Sequence, residues 1–413
     1  MPTAFAPLRL SGFRKLATAY AINDVGDMVG AVALAILVFD RTGDALATTA
    51  LFVSAKFVPA LLAPALTARI DNLATGRTLG VLHALEAVFF LVLALLATSA
   101  FSLAPILALA LADGILALTA RSLMRGSVAG ILEPAGLLRE GNAIFNLIFA
   151  ASTAAGPALA GLLIAWQGVD AALLLDAASF ALVALLLFTA SDLAAARVDL
   201  DTWLARVRRG LGHVRGDREL RLLLIAQATA LVFFACVVPI EVVYAKETLD
   251  AGDAGFGALL SAWGVGIIAG SMVFAATRKM SMLALIAIST LAIATSYLGQ
   301  AAAPSLLVAC AFAVVGGVGN GVQGVAVLTA VQLRTPKALQ ARVAGLLESL
   351  GAAMPGAGFI LGGLLTAAFD PRVAFATAGV ALSVVVAGGA LALGRAGRRE
   401  TASAGDRRPA TDP

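Results

Sequence analysis

Twelve long apolar stretches, separated by short charged breaks, leave this chain few ways to fold. They fall at roughly 14–39, 46–68, 78–99, 103–124, 142–166 and 170–190 in the first half. In the second half they fall at roughly 220–245, 254–277, 281–300, 305–330, 342–368 and 372–394. A helix needs about 20 apolar residues to cross the hydrocarbon core of a bilayer. Each stretch is longer than a barrel strand and lacks period-two alternation, so helices are the spanning element that fits. A water-soluble fold is excluded by composition: 13% of residues are charged and the mean hydropathy is +0.95. A soluble domain carries about a quarter charged residues. The expectation is an all-α membrane protein of twelve transmembrane helices.

Lys and Arg positions predict the orientation. If the N-terminus is cytoplasmic, 25 of the 29 basic residues fall on the inside and three (Arg41, Lys246 and Arg372) outside, with Lys56 inside a span. That asymmetry places both termini in the cytoplasm of a multi-pass cell (inner) membrane protein. The same distribution argues against nucleic acid, because no basic patch with interleaved aromatics is present despite a net charge of +4. Asp24 and Asp27 interrupt the first span and no small-residue cleavage site follows it, so a retained helix is expected and not a signal peptide.

The segment from Asp192 to Arg221 divides the chain. Its spacing of Leu200, Trp203, Leu204, Val207 and Leu211 among charges predicts an amphipathic helix on the cytoplasmic face. The organisation expected is a first six-helix bundle over 1–190, a linker over 191–219, a second bundle over 220–394 and a disordered polar tail over 395–413. An offset of 202 residues relates the halves. It pairs Pro134 with Pro336, Gly156 with Gly358, Gly161 with Gly363 and Gly76-Arg77 with Arg278-Lys279. Two pseudo-symmetric six-helix bundles are the build of many secondary transporters.

Charged groups near mid-bilayer cost about 2.5–3.5 kcal/mol on insertion scales, which makes them functional candidates. Asp27, Lys56, Glu86 and Asp113 fall near mid-depth in the first four spans. Asp27, Glu86 and Asp113 are candidate proton carriers; the alternative is a fixed ion pair between helices. Lys56 beside Asp27 or Glu86 is a candidate charge partner or substrate ligand. Asp24, three residues before Asp27, shares that helical face. Asn146, Asn320 and Gln323 either line a cavity or hold helices together. Asp176 is expected to be structural, and Arg121 and Arg125 to cap the inner end of the fourth span. Carboxylates in such a cavity suit cationic or neutral substrates. Cys236 and Cys310 lie inside spans, and His83 and His213 are too few for a metal cluster, so no cofactor or metal is expected. No phosphate-binding loop or nucleophile–base pair points to ATP drive or to an enzyme.

Local motifs carry a resemblance. Span five holds Ala155-Gly156-Pro157-Ala158-Leu159-Ala160-Gly161, which resembles the antiporter motif of the major facilitator superfamily. Leu173-Leu174-Leu175-Asp176-Ala177-Ala178-Ser179-Phe180, Leu333-Arg334-Thr335-Pro336 with Ala341-Arg342-Val343, and Gly26-Asp27 are similar to signatures of its enterobactin-exporter and macrolide-efflux branch. The resemblance implies that Gly156, Pro157 and Gly161 limit leak at the central interface; ordinary helix packing is the alternative. The loop after span two departs from the family's glycine–aspartate–basic pattern. Arg69, Asp71 and Arg77 stand there with the acidic residue displaced. The implied function is proton-coupled export of small drug- or siderophore-like amphipathic molecules, by a monomer. The alternatives are a lipid or metabolite carrier of the same fold and, more remotely, a non-transporting receptor.

Overall fold

The computed structural model describes residues 5–70, 75–99, 101–190, 193, 214–277, 279–335 and 340–405. Among them, twelve helices are long and apolar enough to cross a membrane, and no strand is formed. The first six spans are α1 (Ser11–Thr42), α2 (Ala45–Thr67), α3 (Thr75–Ser99), α4 (Leu103–Leu132), α5 (Leu138–Gln167) and α6 (Val169–Phe188). The next four are α7 (Arg218–Thr248), α8 (Gly252–Ala276), α9 (Met282–Ala302) and α10 (Leu306–Arg334). The last two helices are α11 (Gln340–Ala368) and α12 (Pro371–Gly405). This is a multi-pass integral membrane protein. Every expected span is present, and several helices run past the expected apolar limits. Helical hydrogen bonding continues into polar residues wherever nothing breaks it, as at both ends of α1 and from Arg125 to Leu132 in α4. Most of the expected linker lies outside the described residues. Helix α12 continues to Gly405, beyond the expected bundle end at 394, and 406–413 lie outside the described residues.

Two spans are irregular. In α2 the helix widens at Val53–Phe57, where the Val58 N–H reaches the Val53 carbonyl five residues back. In α7, Pro239 cannot donate a hydrogen bond, and the helix gives way to a tight turn at Val238–Ile240. A second wide turn follows at Tyr244–Thr248. Wide turns inside helices are frequent at functional sites. Here they carry Lys56 and Lys246.

Packing reveals the internal symmetry predicted from the 202-residue offset. A Cβ on Gly156 of α5 would meet Met28 of α1, and one on Gly358 of α11 would meet the Val232 carbonyl of α7. Gly161 of α5 lies against Asp253 and Ala254 of α8, while its counterpart Gly363 of α11 lies against Thr49 of α2. The equivalent glycines therefore let α5 meet α1 and α8, and α11 meet α7 and α2. With little hydrophobic drive between helices in lipid, such close approach is how they hold together.

These contacts close the end of the molecule opposite the termini. Helices α5 and α8 meet at Gly161 and Gly257, and α2 and α11 meet through Phe52 and Phe359, whose rings lie 5.9 Å apart. Lys246 of α7 bridges Asp40 of α1 and Asp253 of α8, the latter at 2.6 Å. The other two cations of this end close helix termini. Arg41 donates to the Ala97 carbonyl at 2.7 Å, and Arg372 donates to the carbonyls of Ala301 and Ala303 at 2.7 and 2.8 Å. Each satisfies carbonyls that the last turn of a helix leaves unpaired.

Candidate functional site

At the termini-bearing end the first-half helices part around a cavity of about 750 Å³, lined by α1, α3, α4 and α5. Its size is within the usual range of about 300–1,000 Å³ for small-molecule sites. Asp27 faces it from α1. Its Oδ2 accepts a 3.0 Å hydrogen bond from the Asn23 amide one turn earlier and lies 3.8 Å from Arg121 of α4. Arg125, one turn further along α4, also lines the cavity, as do His83, Asn142 and Asn146. The apolar wall includes Tyr20 and Phe145, whose rings stack with centroids 4.6 Å apart.

Behind this surface lies a set of buried acids. Glu86 of α3 is fully buried and lies 2.5 Å from His83 Nδ1, one turn before it on the same helix face. His83 therefore stands between the cavity and the Glu86 carboxyl. Asp176 of α6 is fully buried, accepts a 3.1 Å hydrogen bond from Ser179, and packs into the space left by Gly26 and Gly30 of α1. Asp24 is buried beside Tyr20 and Ser152. Asp113 is half-buried next to Gly114, where α4 meets the Ala55 carbonyl of α2. One oxygen each of Glu86, Asp113 and Asp176, and His83 Nε2, find no hydrogen-bond partner among the described residues. Buried polar atoms are almost always paired, so this concentration marks the first half as the chemically charged part of the molecule. The described residues contain no His, Cys, Asp and Glu cluster that could hold a metal.

Several expectations are corrected. Lys56 is exposed in the wide turn of α2 and forms no ion pair among the described residues, although its charge acts on Asp24, Asp27 and Asp113. Asp27 pairs instead with Arg121, and Glu86 with His83. Arg121 and Arg125 are not helix caps, because α4 runs on to Leu132 and carries both into the cavity wall. Asn146 lines the cavity. Asn320 and Gln323 do not join it. They belong to α10, where Gln323 donates to Thr290 at 2.8 Å beside a separate cavity of about 230 Å³. Gly156, Pro157 and Gly161 sit at the α5 contacts, with Pro157 inside an unbroken helix. Arg69 and Arg77 are exposed, and Asp71 lies outside the described residues. Residue order alone holds one signal for the missed pair: His83 and Glu86 are three apart, a spacing that puts two side chains on one face.

The sequence matches the transmembrane secretion effector family over residues 2–406. The chain belongs to that family of major facilitator transporters. Solved transporters share the family's fold at low identity. The nucleoside transporter NupG superposes with a TM-score of 0.71 at 12% identity, covering 92% of this chain and 99% of its own. A bacterial homologue of the iron transporter ferroportin, in an inward-facing state, gives 0.72 at 14% identity, covering 92% and 98%. The human organic anion transporter MFSD10 gives 0.62 at 18% identity, covering 91% and 98%. No curated protein matches the sequence. The family and fold are those of membrane transporters.

Proposed function

We propose that the chain is a proton-coupled exporter that moves small amphipathic, drug- or siderophore-like molecules by alternating access. The observation that carries this reading is the Asp27–Arg121 contact in the wall of a cavity, in a molecule whose helices close together at the far end. Protonating Asp27 removes its charge and releases Arg121; losing the proton restores the pair. The two states hold α1 and α4 differently, which is the differential interaction that coupling requires. His83, poised between the cavity and Glu86, offers a path for protons to the buried acid. Asp113 is a further carrier behind the cavity wall, Asp24 a charge partner beside it, and Lys56 tunes both through space.

Outward transport is supported by the family's description as secretion effectors and by the resemblance to the enterobactin-exporter and macrolide-efflux branch. The reading takes 1–190 and 220–394 as two bundles that rock against each other in a monomer, with the cavity in the wall of the first. The cavity then opens to the cytoplasm, where the Lys and Arg distribution puts both termini. Gly156, Pro157 and Gly161 seal the central interface, while Arg69, Asp71 and Arg77 border the cytoplasmic loop. The test is purified protein in liposomes with an imposed proton gradient, following internal pH as candidate compounds are added. A compound should provoke proton movement that Asp27→Asn or Glu86→Gln abolishes while the variant remains folded. Proton movement that survives both substitutions sinks the site assignment.

A further inference from the structure

We propose that the cavity is built for amphipathic anions: a flat apolar body carrying a carboxylate or similar group. This rests on the reading of the cavity as the transport site, and it reverses the expectation that acids in the first half favour cations.

The surface that a ligand meets differs from the wall behind it. Arg121 and Arg125 both line the cavity, and Asp27 is the one carboxylate among the lining residues. Glu86, Asp24, Asp113 and Asp176 do not reach that lining, and Glu86 is already engaged by His83. Asp27 approaches a single terminal nitrogen of Arg121 at 3.8 Å, which leaves most of that guanidinium's donors free. Arg125 makes no ion pair among the described residues and is exposed to the cavity. Two like charges four residues apart on one helix face repel each other. Holding them together in one concave wall favours a negatively charged occupant, and a guanidinium fork matches carboxylate geometry.

The rest of the lining completes the class. The stacked Tyr20 and Phe145 rings present an aromatic face, extended by Phe149, for a flat apolar body. Asn142 and Asn146 supply uncharged polar contacts near the mouth. The anion and Asp27 then compete for Arg121, so ligand binding is linked to the protonation state of Asp27.

Three probes with one ring system and different head charges separate the possibilities: naphthoate, naphthamide and naphthylmethylammonium. Binding of each radiolabelled probe to the full chain in nanodiscs is measured by equilibrium dialysis, with empty nanodiscs subtracted for lipid partitioning. Naphthoate should bind saturably, the amide more weakly and the ammonium least. Arg125→Gln should weaken naphthoate by about tenfold or more, and Arg125→Lys by less, since the charge stays while the planar fork is lost. Added salt should weaken naphthoate binding and leave the amide unchanged. Ammonium binding as tight as naphthoate, naphthoate binding indifferent to Arg125→Gln, or no saturable binding of any probe would each overturn the proposal. Proton movement is read separately in liposomes. Naphthoate binding without proton movement upholds the substrate class and removes the coupling. Proton movement driven by the ammonium upholds the coupling and refutes the class.

Discussion

Replacing Gly257 by Ala should shift the molecule toward a state open at the far end. Gly257 of α8 faces the Pro157 carbonyl and Gly161 of α5, so an added methyl group meets backbone on the opposite helix and not a side chain able to turn aside. Overpacking of this kind costs about 1–3 kcal/mol. The strain exists only while α5 and α8 are in contact, so it is relieved when the far end opens. A bias of that size changes the ratio of two states by about 5- to 150-fold. The assay is a distance measurement between spin labels placed at Leu46 and Phe369, both exposed and on opposite sides of the closed seam. Cys236 and Cys310 are replaced by Ala to leave two label sites. The parent protein should give one short distance; Gly257→Ala should add a longer one. Gly264→Ala, which meets the Thr153 carbonyl on the same helix pair, should act in the same direction. An unchanged distance distribution together with a lowered unfolding temperature would refute the reasoning. The methyl group would then destabilise the fold as a whole and not one of two states.

Lys246→Ala removes both contacts of the far-end clamp, to Asp40 and Asp253. Partly exposed pairs contribute about 0.2–1 kcal/mol each, so the same label pair should report a modest gain of open state. In the parent protein that gain should be mimicked by high salt. Gly30→Leu drives a side chain into Asp176 and Phe90 and should destabilise the first half by about 1–3 kcal/mol, read as a lower unfolding temperature in detergent. Gly351→Ala, a helical position with open space around it, should leave that temperature unchanged or slightly raised. Arg372→Ala strips the carbonyls of Ala301 and Ala303 of their partner and should cost about 1 kcal/mol. Faster amide exchange confined to the end of α9 is the expected signature.

The sequence by itself determined the number of spans, their helical nature and the internal repeat. Bilayer thickness sets a minimum apolar length, and hydrocarbon requires every backbone group to bond within its own segment. Both constraints act on contiguous residues and are therefore readable in one dimension. The paired glycines at 156 and 358, and at 161 and 363, were legible for the same reason, since close helix approach needs a missing side chain at a fixed register. Sequence also marked Asp27, Glu86 and Asp113 as unusual, because an acid in an apolar run is costly wherever its partner lies. Which partner each acid takes was decided by the tertiary structure. Asp27 belongs with Arg121, nearly a hundred positions along the chain, because α1 and α4 face each other across a cavity. Lys56 was the nearer charge in the sequence, yet the wide turn of α2 leaves it exposed and unpaired among the described residues. Helix length in residues fixes depth in the membrane, but rotation about the helix axis and the choice of neighbour are set by packing against other helices. That is why the acids could be found from the sequence, while the positive surface in front of them emerged only from the fold.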